Sequence, residues 1–153
     1  VLELSRIESG NMSFHCEDCS AHHFAETVYQ THQVIILPPV EFIKEFPDED
    51  VTIHIDRMRL TQVITNFLGN AKKFTSQGHI KLGYFFVEDT GAGIPKEELQ
   101  MIFERFYKRN EFVQGVGLGL AISKVIVEKM NGHIDVQSEV NKGSRFTAVL
   151  PYL

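Results

Sequence analysis

The chain has 153 residues, of which 43% are hydrophobic and 23% are charged. That composition is typical of a globular protein, and the length suits one domain that buries roughly 70% of its unfolded surface. Lys and Arg total 15 against 20 Asp and Glu, and the resulting net charge of −5 favours neither nucleic acid nor an anionic membrane as a partner.

No apolar run reaches the length of a membrane span, and no signal peptide opens the chain. The two cysteines, Cys16 and Cys19, are too few for a secreted fold built on disulfides, and they fit a reducing cytoplasm. They stand close to several histidines, as in a metal cluster, but a lone C-x-x-C without a second ligand pair is weak evidence for zinc. A helix start with incidental thiols is the favoured interpretation.

The N-terminal segment VLELSRIESG places Leu4 and Ile7 on one helical face and ends in glycine, a common helix stop. It is typical of the end of a longer helix. A short strand is predicted over Met12–Cys16, and a helix is predicted over Ser20–Gln33, where apolar residues recur at helical spacing.

Two strands are predicted next, at Glu41–Phe46 and Val51–Ile55, and the second alternates apolar and polar residues. Asp56 follows as a helix cap, and Arg57–Thr75 is the longest predicted helix. One face of this helix is apolar and is predicted to pack into the core; it carries Leu60, Ile64, Phe67, Leu68 and Ala71.

The opposite face of that helix carries Gln62, Asn66, Asn70 and Lys73. Two asparagines are unusual on a merely solvated face, because each costs roughly half a kcal/mol in helix propensity relative to alanine. Their amide oxygens can ligate a hard cation, and a lysine one turn on can meet phosphate oxygens. The face therefore suits a metal-nucleotide complex, and an ordinary exposed stripe is the alternative.

The apolar run Tyr84–Val87 is followed by the sequence EDTGAGIP, and it is predicted to be a buried strand that stops at a binding site. Gly91 and Gly93 allow a positive φ or the close approach of a ligand. Asp89 can accept a hydrogen bond from an exocyclic amine such as that of adenine. The alternative is a tight turn with a solvated aspartate.

A helix is predicted over Lys96–Tyr107, opened by Pro95, and the polar segment Tyr107–Gly115 is predicted to be a mobile lid. The run Gly115–Leu120 leads directly into a predicted helix over Ala121–Met130. Its glycines expose amides at the positive end of that helix, where phosphate can bind. The spacing matches neither the Walker phosphate loop nor the dinucleotide fingerprint.

The remaining segments supply sheet. Gly78–Val87 is predicted to contribute strand structure, and the chain closes with alternating strands at Ile134–Ser138 and Ser144–Leu150. The connection Glu139–Gly143 is predicted to be a hairpin.

Four segments, in this order along the chain, resemble the catalytic ATP-binding domain of sensor histidine kinases, which belongs with gyrase and the heat-shock chaperones in the GHKL group. They are DRMRLTQVITNFLGNAKKFT, VEDTGAGIP, FERFYKRN and GVGLGLAI. The resemblance implies a catalytic ATP-binding domain over residues 12–153 and the end of the family's dimerisation helix over residues 1–11. It also implies a Bergerat-type ATP-binding fold, a two-layer α/β sandwich whose mixed sheet carries helices on one face.

The resemblance implies the reaction as well. The γ-phosphoryl group of Mg-ATP would pass to a histidine on a separate dimerisation domain, so ATP and Mg²⁺ are the expected cofactors. The expected partners are that domain and the receiver domain of a downstream response regulator. Neither nucleic acid nor direct membrane contact is expected for this segment, which we place in the cytoplasm, whether or not the parent protein is membrane-anchored.

Site residues follow from the resemblance by position. Asn70 is expected to coordinate Mg²⁺ with help from Asn66, and Lys73 and Phe74 are expected to flank the phosphates and ribose. Asp89 would bind the adenine amine. The full set expected to contact nucleotide is Asn70, Lys73, Phe74, Asp89, Gly91, Gly93, Ile94, Tyr107, Lys108, Gly117, Leu118, Gly119 and Leu120. Asn66, Asn70, Lys73 and Lys108 are the expected catalytic residues.

The second half of the set surrounds the expected lid. Phe103 and Phe106 would seat the lid, although from the residues alone both are better explained as core. Lys108 would reach the terminal phosphate, and Gly117 and Gly119 would present backbone amides to the phosphates.

Three features depart from the family pattern. Tyr84 runs straight into Phe85 where the family has a longer hairpin, and Val116 stands where many relatives carry threonine. No histidine is followed by Asp or Glu as in the family's acceptor motif. The alternatives are a GHKL-type ATPase, which would need a carboxylate to activate water where Asn66 stands, and a non-catalytic nucleotide-binding interaction module.

Overall fold

In the computed structural model the residues described are 13–104 and 119–151. Helix α1 spans Ala21–Gln33, α2 spans Arg57–Phe74 and α3 spans Gly119–Lys129. The strands are β1 Glu17–Ser20, β2 Val40–Lys44, β3 Thr52–Ile55, β4 Gly78–Leu82, β5 Phe86–Asp89, β6 His133–Glu139 and β7 Gly143–Val149.

The main sheet has five strands in the order β2-β4-β5-β7-β6. Strands β2 and β4 are parallel, and the other neighbouring pairs are antiparallel. The short strands β1 and β3 form a separate antiparallel pair. With helices packed on one face of a mixed sheet, the predicted two-layer α/β architecture is confirmed.

Helix α2 lies over the centre of the sheet because its apolar stripe is continuous. All five residues predicted for that stripe are buried, and the ring of Phe67 meets that of Phe146 on β7 at 5.4 Å between centroids. On the other face of the sheet, charged side chains from three adjacent strands form one row. In that row Glu88 lies 3.8 Å from Lys81 and 3.4 Å from Arg145.

Side-chain caps fix where the first two helices begin. The hydroxyl of Ser20 accepts a hydrogen bond from the amide of His23, and the carboxylate of Asp56 accepts one from the amide of Arg59, both at 3.1 Å. Asp56 also accepts from the amide of His15 at 2.9 Å, so it joins the segment before β1 to the start of α2. The predicted cap at Asp56 is confirmed.

The first strand differs from its prediction. Residues 13–16 form no strand, and β1 begins at Glu17, which pairs with Ile55 of β3. The reason is the partner strand, since β3 offers a ladder that aligns Cys19 with Ile53 and directs both into the core. No local pattern encodes that choice of register.

The strand before the glycine turn is also displaced. It was predicted at Tyr84–Val87, but β5 begins at Phe86 and ends at Asp89. A tight turn precedes it, in which the amide of Gly83 donates to the carbonyl of Phe86 at 3.0 Å. The rings of Tyr84 and Phe85 make aromatic contacts, and the carbonyl of Phe85 accepts from the amide of Ala148 on β7 at 2.8 Å. Asp89 is therefore the last residue of a central strand.

The predicted helix at Lys96–Tyr107 is not formed over its described part. Lys96–Glu98 is a short 3-10 helix, and turns follow as far as Glu104. Their bonds join residues three apart, as from the amide of Met101 to the carbonyl of Glu98 at 2.9 Å. None of residues 96–98 is buried, so the first turn lacks the packed face that stabilises most helices. The other predicted helices and strands agree with the structure to within two residues at each end.

Two predictions concern residues outside the described part: the N-terminal helix end at 1–11, and the lid.

Among residues 13–104 and 119–151, no helix is long and apolar enough to cross a membrane, and no group of three or more His, Cys, Asp or Glu side chains could hold a metal ion. Cys16 is exposed and Cys19 is buried.

Candidate functional site

Asp89 lies at the end of β5, in the middle of the sheet between β4 and β7. Its side chain is buried, with 8% of its surface exposed. This burial raises the pKa of the carboxyl above its ordinary value, and the charge of Glu88 adds a smaller rise. The backbone amides of Gly91 and Ser144 lower it in part, and the first donates to Oδ1 at 2.9 Å. A ligand that donates a hydrogen bond would favour the ionised form.

The turn after Asp89 is held from two sides. The amide of Ala92 donates to the carbonyl of Phe74, at the end of α2, at 3.2 Å, and the carbonyl of Ala92 accepts from the amide of Asn141 at 2.8 Å. Gly93 has a φ of 73°, and a Cβ there would lie 2.1 Å from the carbonyl oxygen of Glu139. Glycine is thus required at residue 93, because any side chain would displace the β6–β7 turn.

Two serines that the sequence analysis did not single out support this turn. The Ser138 hydroxyl accepts from the amide of Ile94 at 2.7 Å and lies 2.8 Å from the hydroxyl of Ser144. Ser144 pairs with Asp89 across the β5–β7 ladder, and its amide is one of the donors to that carboxylate. Both serines lie on the inward faces of the last two strands, and this position in the alternating pattern is the sign in the sequence that could have identified them.

Thr75 is a third residue that was missed as part of the site. It is the C-cap of α2, and its buried hydroxyl is the one buried side-chain polar atom, within the described part of the chain, that has no hydrogen-bond partner. Its side chain lies close enough to Asp89 to lower the pKa of that carboxyl, although no hydrogen bond of normal geometry joins the two groups. A buried hydroxyl left unpaired costs about 1–3 kcal/mol.

The polar face of α2 points away from the core as predicted. Gln62, Asn66 and Asn70 are half-buried, and Lys73 is exposed. The amide nitrogen of Asn66 donates to the carbonyl of Gly119 at 2.8 Å and to the hydroxyl of Ser123 at 3.1 Å. The middle of α2 therefore contacts the start of α3, whose first two residues are Gly119 and Leu120.

These contacts arrange the predicted residues along one helix. The C-terminal end of α2 meets the turn that contains Gly91 and Gly93, and the middle of α2 meets the start of α3. Asn66 and Thr75 are nine positions apart, which corresponds to about 13 Å along the helix axis. Phe74 and Ile94 lie at the turn end of this span, whereas Tyr107, Lys108, Gly117 and Leu118 lie outside the described residues.

The model of the family described as "Histidine kinase-, DNA gyrase B-, and HSP90-like ATPase" matches residues 55–153, which include α2, the glycine turn and α3. The chain belongs to this ATPase family. The resemblance stated from the four sequence segments is confirmed.

Curated relatives of this ATPase domain are sensor kinases. The chain is 34% identical to the sensor histidine kinase WalK of Bacillus subtilis over 167 residues, an alignment that covers 99% of the chain and 27% of WalK. It is 35% identical to the sensor histidine kinase RcsC of Escherichia coli, with 99% of the chain and 17% of RcsC covered. The chain thus spans about a quarter or less of these relatives.

Solved structures agree with this assignment. The chain superposes on full-length ShkA, which was crystallised in complex with AMPPNP, with a TM-score of 0.86 and 25% identity, covering 99% of the chain and 35% of ShkA. The catalytic domain of the histidine kinase ThkA gives a TM-score of 0.73 at 29% identity, with 87% of the chain and 93% of that domain covered.

Proposed function

We propose that this ATPase domain is the catalytic ATP-binding part of a two-component sensor histidine kinase. In this proposal it binds Mg-ATP and presents the γ-phosphoryl group to a histidine on a separate dimerisation domain, from which a response-regulator receiver domain then takes it. The observation that carries the proposal is the buried Asp89 carboxylate at the strand end, beside a turn that is anchored to the asparagine helix.

Base recognition is assigned to Asp89. A carboxylate accepts hydrogen bonds and cannot donate when ionised, so it matches the exocyclic amine of adenine and mismatches the corresponding oxygen of guanine. Because the carboxylate is desolvated, a base without a donor at that position leaves a buried charge uncompensated. Adenine should therefore be strongly preferred over guanine. Gly91 and Gly93 shape the turn beside it, and Phe74 and Ile94 lie at the same end of α2.

The phosphate end is assigned to the middle of α2 and the start of α3. The amide oxygens of Asn70 and Asn66 are the hard donors that Mg²⁺ prefers, and Asn66 has committed its amide nitrogen to α3, so its oxygen Oδ1 is the atom left for this role. When bound, Mg²⁺ would neutralise charge on the phosphates. Lys73 and Lys108 would add positive charge. The backbone amides of Gly117 and Gly119 would donate hydrogen bonds to the phosphates.

Phosphoryl transfer of this kind depends mainly on positioning and charge neutralisation, because the transition state is loose. The imidazole nitrogen forms the new bond to the γ-phosphorus, the bond from that phosphorus to the β-γ bridging oxygen breaks, and ADP leaves. The acceptor imidazole loses its proton. Asn66 does not supply a general base for water, because an amide is not basic and its nitrogen is already a donor. This observation supports transfer over hydrolysis.

Calorimetry with ADP, with and without Mg²⁺, tests the binding step. Asp89→Asn should weaken ADP binding by at least tenfold, because the new NH₂ group faces a donor in either orientation. If it points to the ligand it opposes the adenine amine, and if it is turned away it opposes the amide of Gly91. Glu88→Gln is the matched control, since it neutralises the adjacent carboxylate on the opposite face of the sheet and should leave affinity unchanged. Equal ADP affinity in Asp89→Asn and wild type would reject the role of Asp89, and no binding by wild type would reject the proposed function.

A further inference from the structure

The side chain of Asn66 joins α2 to the first turn of α3 through two hydrogen bonds. Its nitrogen Nδ2 donates to the carbonyl oxygen of Gly119 at 2.8 Å and to the hydroxyl Oγ of Ser123 at 3.1 Å. Gly119 is the first residue of α3, and Ser123 lies one turn further on, so both acceptors are on the same side of the helix start. The two amide hydrogens are both used by these bonds.

Ser123 is the polar residue among the buried residues of α3, and none of its surface is exposed. A serine hydroxyl that is removed from water must find a hydrogen-bond partner or lose about 1–3 kcal/mol. Asn66, which lies 57 positions away along the chain, is that partner. Burial of a serine here is therefore explained by the contact with Asn66.

These bonds also settle the orientation of the amide. A carbonyl oxygen can only accept, so it is the nitrogen of Asn66 that faces Gly119, and the oxygen Oδ1 is left without a donor among the described residues. The oxygen lies close to the α-carbon of Gly119, where an added Cβ would approach it to 2.8 Å. The absence of a side chain at residue 119 thus leaves room for the amide of Asn66.

We propose that Ser123 is a positioning residue of the nucleotide site and that it acts through Asn66. By accepting from Nδ2, Ser123 fixes the amide with Oδ1 available to Mg²⁺, and it holds the start of α3 against α2. This inference rests on the proposed function, because it assigns Asn66 a role towards a magnesium nucleotide. Ser123 does not itself touch the nucleotide.

The affinity for ADP, measured by calorimetry with and without Mg²⁺, tests this role. We expect Ser123→Ala to reduce the gain in ADP affinity that Mg²⁺ confers by about threefold to tenfold, the range for one hydrogen bond. Asn66→Ala should reduce it at least as far. The double variant should lose no more than Asn66→Ala alone, because Ser123 acts only through that residue.

Ile126→Val is the matched control for packing. Ile126 is fully buried on the same helix, its apolar side chain cannot form a hydrogen bond with Asn66, and the substitution removes one methyl group. It should lower the melting temperature while leaving the effect of Mg²⁺ on ADP affinity unchanged. Melting curves of all variants verify that they are folded during the binding measurements.

The outcomes distinguish the role of Ser123 from nucleotide binding itself. An undiminished effect of Mg²⁺ in Ser123→Ala, or additive losses in the double variant, would overturn the role of Ser123 while leaving nucleotide binding intact. Absence of ADP binding by the wild-type chain would reject the proposed function and this inference with it.

Discussion

Asp89 combines a position that favours folding with a charge that opposes it. The strand end in the middle of the sheet is well packed, and desolvation there raises the pKa of the carboxyl above its ordinary value of 3.8. A group whose pKa is raised in the folded state contributes stability below 3.8 and loses it as the pH rises through the folded-state value. In the ligand-free domain the ionised form of this carboxyl is therefore held at a cost in stability, as is common at binding sites.

The stability of the ligand-free domain should consequently depend on pH through Asp89. Between pH 3.8 and neutrality, we expect the free energy of unfolding of Asp89→Asn to fall less with rising pH than that of the wild type. Urea unfolding at a series of pH values measures this difference. Glu88→Gln removes only the smaller of the two causes that raise this pKa, so its slope should change less than that of Asp89→Asn, and identical slopes in wild type and Asp89→Asn would contradict the assignment.

At the scale of the secondary structure elements, a tight turn joins β4 to β5 where the resemblance implies a longer hairpin. The alignment with WalK extends over 167 residues, more than the 153 of this chain, so WalK carries residues that have no counterpart here. The turn at Gly83–Phe85 is one place where such residues can be missing. The turn packs inward, since Tyr84 is buried and its ring meets that of Phe46 at 5.6 Å.

The hydroxyl of Tyr84 anchors this turn to the segment between β2 and β3. It lies 3.3 Å from the carbonyl oxygen of Pro47 and 3.2 Å from that of Glu49, and it can donate to either. Tyr84→Phe should lower the free energy of unfolding by about 1 kcal/mol, because it removes this donor and keeps the ring. Tyr29→Phe is the control: its hydroxyl donates to the carbonyl of Phe42 at 3.4 Å in a half-buried setting, and a smaller loss is expected in the same urea titration. A Tyr84→Phe variant as stable as the wild type would show that the turn is held by ring packing alone.

For the whole molecule, the proposed division of labour between domains predicts where the phosphoryl group goes. No histidine of the chain stands in the acceptor pattern, so incubation with ATP labelled at the γ-phosphate should leave the chain unlabelled. Steady hydrolysis should be slow, because Asn66 activates no water. Addition of a helical hairpin that carries the acceptor histidine should give acid-labile label on the hairpin.

Transfer in this assay should be weak, because an acceptor supplied in trans lacks the effective concentration that a covalent link provides. Asn70→Ala and Lys108→Ala should each reduce the label further, whereas Glu88→Gln should not. Rapid hydrolysis by the isolated chain with no label on the hairpin would favour an ATPase, and nucleotide binding with neither reaction would favour a non-catalytic module.

The sequence alone was sufficient for the parts of this protein that local physics determines. The apolar face of α2 follows from a spacing of 100° per residue, and Asp56 follows from the need to satisfy the first amides of a helix. The order of the four motifs was sufficient for the family. Asp89 and Gly93 could be selected because a carboxylate and a glycine with positive φ leave a recognisable local pattern.

Tertiary structure alone decided which groups support those residues. Ser123 and Ser144 look like ordinary serines in the sequence, and their roles come from partners that folding brings from distant segments: Asn66 reaches Ser123 across 57 positions. The start of β5 was likewise decided by ladder register and by the contact of Phe85 with α1, and the 3-10 path after Pro95 by the lack of a packed face over residues 96–98. Hydrogen bonds and packing between distant segments depend on the final arrangement of the chain, so periodicity and capping rules, which act over a few residues, do not contain them.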